Sequence, residues 1–124
     1  MQCVVQRSGL ELANQVEKAN TFFARLTGLM FRRQLAPGCG LLLWPCPQIH
    51  TWFMRFAIDA VFCDKEGTVL FVQENMKPWR WGRFVRGSYY TLELPGGSLK
   101  GNVQKGDTLL FAENLKPGCT GEKK

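Results

Sequence analysis

The stretch IDAVFCDKEGTVLFVQ, residues 58–73, decides the fold. Two six-residue runs rich in β-branched and aromatic side chains flank Asp64, Lys65, Glu66 and Gly67. A four-residue loop of this composition closes around a type I turn with its glycine in the left-handed position, so the stretch predicts a hairpin. Period-two alternation puts Ile58, Ala60 and Phe62 on one face of the first strand and Asp59, Val61 and Cys63 on the other.

The same punctuation recurs outward from the hairpin. Short β-rich runs at about 3–6, 10–13, 16–19, 41–44, 49–54, 88–94 and 108–112 are separated by turn residues at the spacing of an all-β protein. The run LLLW at 41–44, entered from APGCG at 36–40, reads as a buried strand. TFFARLT at 21–27 suits one or two helical turns, with Asn20 or Thr21 as N-cap and Gly28 as the stop. The segment from Glu74 to Arg86 carries Pro78 and reads as a long irregular or functional loop. The expected fold is mainly β: a compact antiparallel β barrel or sandwich with a short N-terminal helical turn. Residues 1–114 form one domain, and 115–124, ending KPGCTGEKK, a flexible tail.

Composition narrows the functional classes. With 45% hydrophobic and 21% charged residues in 124, the chain matches a soluble globular domain rather than a disordered one. No window approaches twenty consecutive apolar residues, which predicts no membrane span. MQCVVQRSGLEL lacks the basic head and apolar stretch of a secretory signal, and the reading is cytoplasmic. Five cysteines, an odd number with no C-x-x-C pair, predict reduced thiols rather than a disulfide framework. The net charge of +6 is partly local, because Lys77, Arg80, Arg83 and Arg86 share the acid-free stretch KPWRWGRFVR.

Chemistry concentrates around IHTWFMRFAIDAVFCD, residues 49–64, whose second residue is the single histidine. His50 is a candidate general base, with Asp59 or Glu93 to orient it. Cys46 or Cys63 as a thiol nucleophile lacks any local signature. His50, Met30, Met54 and the cysteines are soft donors, yet finger-like and H-E-x-x-H spacings are missing, so neither a metal nor another cofactor is expected. Asp59, flanked by apolar residues on its own face, needs a partner, with Arg25, Arg32 and Arg55 as candidates. Glu93 raises the same question beside a glycine turn whose N–H groups are potential partners. Trp79 and Trp81, interleaved with basic residues and Phe84, read either as a stacking platform or as a loop covering a sheet edge.

Taken in order, the motifs Thr21-x-x-x-Arg25-x-x-Gly28-Leu29-Met30-x-Arg32, Gly40-Leu41-Leu42, His50-Thr51-Trp52-Phe53-Met54, Ile58-Asp59-Ala60-Val61-Phe62, Leu92-Glu93-Leu94-Pro95-Gly96-Gly97 and Gly106-Asp107 resemble the domain of unknown function 192 family. The resemblance spans about residues 3–112. It implies a compact, mostly β domain found in bacteria and archaea, sometimes exported, with no established biochemical activity. Its signature positions here are Arg25, Gly28, Met30, Arg32, His50, Met54, Asp59, Glu93 and Gly96. Where the family pattern often reads Phe-Trp-Met-Lys-Asn-Thr, this chain has Trp52-Phe53-Met54-Arg55-Phe56-Ala57, so a polar Asn-Thr pair is replaced by Phe and Ala.

The functional expectation is a monomeric binding or accessory module. Its pocket is lined by Arg25, Met30, His50, Trp52, Met54 and Asp59, with Arg32 and Glu93 in the ligand-binding set, and it takes a small anionic ligand or a peptide. The first alternative is a hydrolase or lyase using His50 with Asp59 or Glu93. The second is polyanion or nucleic-acid binding through Lys77 to Arg86.

Overall fold

Eight strands and one short helix carry the chain in a computed structural model that describes residues 1–113. The expected tail at 115–124 lies outside the described residues. In order these are β1 (Gln2–Val5), β2 (Glu11–Ala13), β3 (Gln15–Ala19), α1 (Phe22–Thr27), β4 (Cys39–Leu43), β5 (Ile58–Cys63), β6 (Val69–Met76), β7 (Tyr90–Pro95) and β8 (Leu109–Ala112).

The hairpin is β5 against β6, antiparallel, with Val61 opposite Val72 and Phe62 opposite Phe71. Its loop is held by the side chain of Asp64, whose Oδ1 accepts from the N–H groups of Glu66 at 3.0 Å and Thr68 at 2.9 Å. Gly67 sits at φ 87°, where a Cβ would also meet the Leu109 carbonyl at 2.7 Å. Glycine is therefore required there twice over.

Two sheets result, one of three strands in the order β2-β1-β8 and one of five in the order β3-β4-β7-β5-β6. The small sheet covers one face of the large one. Cys3, Val5 and Leu109 pack with Leu42, Val61, Cys63, Leu92 and Leu94. The other face, carrying Leu41, Leu43, Ile58, Ala60 and Phe62, is covered by irregular chain through Leu29, Ile49, Met54 and Val85. Both faces of β4 and β5 are thus dry, which is why their sequences read as near-continuous apolar runs.

The architecture is sandwich-like, and no barrel closes among the described residues. Nor is pairing antiparallel throughout, because β3 runs parallel to β4, with Gln15 opposite Cys39 and Ala19 opposite Leu43. The connection of residues 20–38 is long enough to return the chain to the same end of the sheet, as a parallel pair requires. It includes α1, capped by Thr21 Oγ1 accepting from the Ala24 N–H. At six residues α1 is a connection rather than a layer of the fold.

Residues 49–54 do not form the expected strand. They run as an irregular ribbon against 79–85, through Gly82 N–H to the Ile49 carbonyl, Thr51 N–H to the Arg80 carbonyl and Val85 N–H to the Pro47 carbonyl, with a lone bridge between His50 and Trp81. Phe53 at φ 62° breaks the extended path. The thiols also depart from expectation, for Cys39 is disulfide-bonded while Cys3, Cys46 and Cys63 are free. That removes the argument from uniformly reduced cysteines to a reducing compartment. Among the described residues no helix is long and apolar enough to cross a membrane.

Candidate functional site

Pleating decides which acid faces which layer. In the register of β5 and β7, Asp59 stands opposite Leu94 and Ala60 opposite Glu93, so the two carboxyl groups leave neighbouring strands on opposite faces. Asp59 points to the side covered by the small sheet and is fully buried. Its Oδ1 accepts from the N–H groups of Asn75 at 2.7 Å and Gly97 at 3.2 Å, and its Oδ2 from that of Leu99 at 2.9 Å. The partner is therefore the backbone and not an arginine. The glycine-turn N–H expected as a partner for Glu93 is given instead to Asp59.

Glu93 points to the loop-covered side and lines a cavity of about 40 Å³ with Arg25, Met30, His50 and Met54. Apolar walls come from Leu29, Leu43 and Ile49. Four segments build it: α1 and the turn after it, the end of β4, the ribbon at 46–54, and β7. The ribbon is anchored to β7 because the Cys46 carbonyl accepts from Thr91 Oγ1 at 2.9 Å and Ser88 Oγ at 3.0 Å. Gly28 takes a left-handed φ of 44° that favours glycine, and a Cβ there would sit in ordinary contact, 3.8 Å from Glu93 Oε1.

Electrostatics inside the cavity are set by dehydration. Burial pushes the Glu93 carboxyl up to about 8 against the pull of the Arg32 guanidinium, which favours its neutral form. Burial also raises the Cys46 thiol, which faces the cavity, and pushes Cys63 up to about 12. Neither is a poised thiolate nucleophile. Arg25 Nη1 donates to the carbonyls of Asn20 at 3.0 Å and Trp44 at 3.4 Å, which fixes the guanidinium at the wall. His50 Nδ1 accepts from the Trp52 N–H at 3.1 Å. Among the described residues no three His, Cys, Asp or Glu side chains converge as a metal-binding group.

Of the anticipated residues, Arg25, Met30, His50, Met54 and Glu93 are brought together. Arg32 lines an adjoining open recess with Thr27, Gly28, Met30 and Phe31. There it is buried, with Nη2 donating to Glu17 Oε2 at 2.9 Å, while Nη1 has no hydrogen-bond partner in the protein. Trp52 turns outward, 44% exposed, and stacks on Trp81 with ring centroids 4.8 Å apart. Asp59 is excluded by the pleat. Gln48 and Thr27 line the cavity without having been singled out. Gln48 was findable as a polar residue in the run PCPQIH, whereas nothing in the sequence pointed to Thr27.

Outside the cavity, the ribbon displays aromatic rings. Phe31, Phe53 and Trp79 have left-handed backbones at φ 65°, 62° and 62°. Such a conformation costs a bulky residue about 1 to 2 kcal/mol. Their rings touch in sequence, Phe31 to Phe53 at 5.3 Å and Phe53 to Trp79 at 4.7 Å. Thr51, fully buried, pins this end of the ribbon by accepting from the Arg80 N–H at 2.8 Å and donating to the Lys77 carbonyl at 2.6 Å.

Known proteins resemble this chain in sequence and in fold. UPF0127 protein PF1050 of Pyrococcus furiosus is 32% identical over 109 residues, covering 82% of this chain and 90% of the relative. UPF0127 protein PYRAB11210 of Pyrococcus abyssi is 35% identical over 92 residues, covering 69% and 75%. A crystal structure of a protein of unknown function from Novosphingobium aromaticivorans matches with a TM-score of 0.80 at 20% identity, over 90% of this chain and 84% of that one, and shows the shared fold. One from Sinorhizobium meliloti, described as a candidate transcription regulator, matches with a TM-score of 0.75 at 29% identity, over 88% and 89%. The family model for uncharacterized ACR proteins matches residues 3–111, and the chain belongs to this family, the domain of unknown function 192.

Proposed function

We propose that the protein is a monomeric binding module whose cavity receives the carboxylate end group of a small acid or a peptide. The observation that supports this reading is the convergence of Arg25, His50 and Glu93 from three separate segments on one small hollow with otherwise apolar walls. Arg25 supplies the positive charge, and Glu93, in its neutral form, donates a hydrogen bond to an oxygen of the bound group. A volume of about 40 Å³ suits an end group and leaves the rest of a ligand outside, along the recess lined by Met30, Phe31 and Arg32.

Titration calorimetry with short organic acids, and with peptides carrying free or amidated C-termini, tests the reading. Free carboxylates bind and amidated peptides do not. Arg25→Ala weakens binding about 10-fold or more, corresponding to about 1.4 kcal/mol. Affinity falls as pH rises through about 8, because ionised Glu93 repels the ligand, and Glu93→Gln removes that dependence. Equal response of free and amidated peptides, or an unchanged affinity in Arg25→Ala, defeats it.

A second reading, a hydrolase or lyase with His50 and Glu93 as its acid–base pair, draws on both residues lining the same cavity. It expects a His50→Ala variant that keeps its melting temperature and loses turnover of activated esters.

A further inference from the structure

Among the described residues, six of the eight exposed large hydrophobic side chains are aromatic and come from three adjoining segments: Phe31 (61% exposed), Trp52 and Phe53 (44% each), and Trp79, Trp81 and Phe84 (57 to 62%). The segments are tied together by the Phe31 N–H to the Phe53 carbonyl at 2.9 Å and the Trp79 N–H to the Thr51 carbonyl at 2.9 Å. The same three segments carry exposed cations: Arg33, Arg55, Lys77, Arg80, Arg83 and Arg86. Residues 30–36, 50–57 and 77–86 contain no aspartate or glutamate.

We propose that this aromatic and basic face is an interfacial docking surface for a bilayer carrying anionic lipid. Tryptophan and phenylalanine settle at the boundary between headgroups and acyl chains, and nearby lysine and arginine are drawn to the negative surface potential. The acid-free cationic segments call for an anionic occupant, and their exposed rings call for one with an apolar layer beneath its charge. A bilayer surface offers both. Single-stranded nucleic acid is also anionic and flat-faced, but these rings are already in contact with one another, tilted in two pairs and stacked in the third. Phe31 on Phe53, Phe53 on Trp79 and Trp52 on Trp81 have centroids 4.7 to 5.3 Å apart, so no gap between paired rings admits a base. The left-handed backbones at Phe31, Phe53 and Trp79 hold rings outward that an unstrained chain would have no reason to present. The proposal does not depend on what the cavity binds.

The test is co-sedimentation of the intact protein with vesicles of phosphatidylcholine alone and of phosphatidylcholine mixed equally with phosphatidylglycerol, read together with tryptophan emission. Three of the four tryptophans, Trp52, Trp79 and Trp81, lie on the face, so docking shifts emission to the blue and exposes it to quenching by brominated acyl chains. Binding to the mixed vesicles weakens with salt. Paired Trp79→Gly and Phe84→Ala substitutions, in which glycine keeps the left-handed backbone, lower partitioning about 10-fold, as do paired Arg80→Glu and Arg83→Glu substitutions. Melting temperatures of the variants verify that the fold survives. Absence of vesicle binding by the unaltered protein overturns the proposal, as does undiminished binding by both folded double variants. Tryptophan quenching by oligodeoxythymidine without vesicle binding overturns it in favour of nucleic acid.

Discussion

Asp59 shows how a single buried acid can hold a fold without taking part in a site. Its two oxygens accept three backbone N–H groups, from Asn75 at the end of β6 and from Gly97 and Leu99 in the turn after β7, and so pin both neighbours of β5 at one point. Asparagine retains one acceptor oxygen but turns an NH₂ toward the Leu99 N–H, and alanine leaves all three donors unpaired. Asp59→Ala is expected to cost about 3 kcal/mol or more, and Asp59→Asn somewhat less, read as a fall in the urea midpoint at unchanged slope. A loss below about 1 kcal/mol in the alanine variant would show that these donors find water instead. Glu93 is the contrasting residue, for it lies one register position away on the next strand and faces a hollow.

At the scale of elements, the chain after α1 is fastened to β3 by the buried pair of Arg32 and Glu17, whose side chains are 8% and 12% exposed. One oxygen of Glu17 and one nitrogen of Arg32 lack hydrogen bonds within the protein, so the pair recovers only part of its dehydration cost. Removing one member strands the other: Arg32→Ala or Glu17→Ala is expected to destabilise the protein by about 3 kcal/mol. Joint replacement by Met at 32 and Leu at 17 is expected to restore most of that loss. A double-mutant cycle in urea measures the coupling, and additive losses would refute the expectation. The ribbon of 47–51 against 79–85 depends on close approach instead, since a Cβ on Gly82 would meet the Ile49 carbonyl at 2.5 Å.

For the whole molecule, the shifted groups combine into an unusual stability profile. Hydrogen bonds from Arg7 and the Gln104 N–H hold Asp107 at about 2, below its ordinary 3.8. Its contribution is complete above 3.8 and is lost as pH falls toward 2. Glu93, raised from 4.5 to about 8, acts in the opposite sense: below 4.5 both folded and unfolded states hold the proton, and stability then declines up to about 8 because only the unfolded state releases it. Burial of the Cys63 and Cys3 thiols continues the decline above 9.0. The urea midpoint is therefore expected to be highest roughly between pH 3.8 and 4.5 and to fall toward neutrality. A midpoint that rises from pH 5 to pH 8 would contradict this balance. Local sequence determined the hairpin, the order of most strands and which side chains of β5 share a face, because turn chemistry and the two-residue period act between neighbours in the chain. It misread 49–54, where apolar composition imitates a strand but the N–H groups are spent on a ribbon with 79–85, and its expectation of an antiparallel architecture left no place for the parallel pair of β3 and β4. Of the eight residues expected in a site, Arg25, Met30, His50, Met54 and Glu93 line one hollow, Arg32 an adjoining recess and Trp52 the outer surface, while Asp59 faces the other layer, since pleat phase between β5 and β7 is a matter of register between distant segments. Only the tertiary structure decided that the two carboxyl groups face opposite layers, that Trp52 turns out to solvent, and that acid-free loops far apart in sequence meet as one surface, because each depends on long-range pairing that no local pattern encodes.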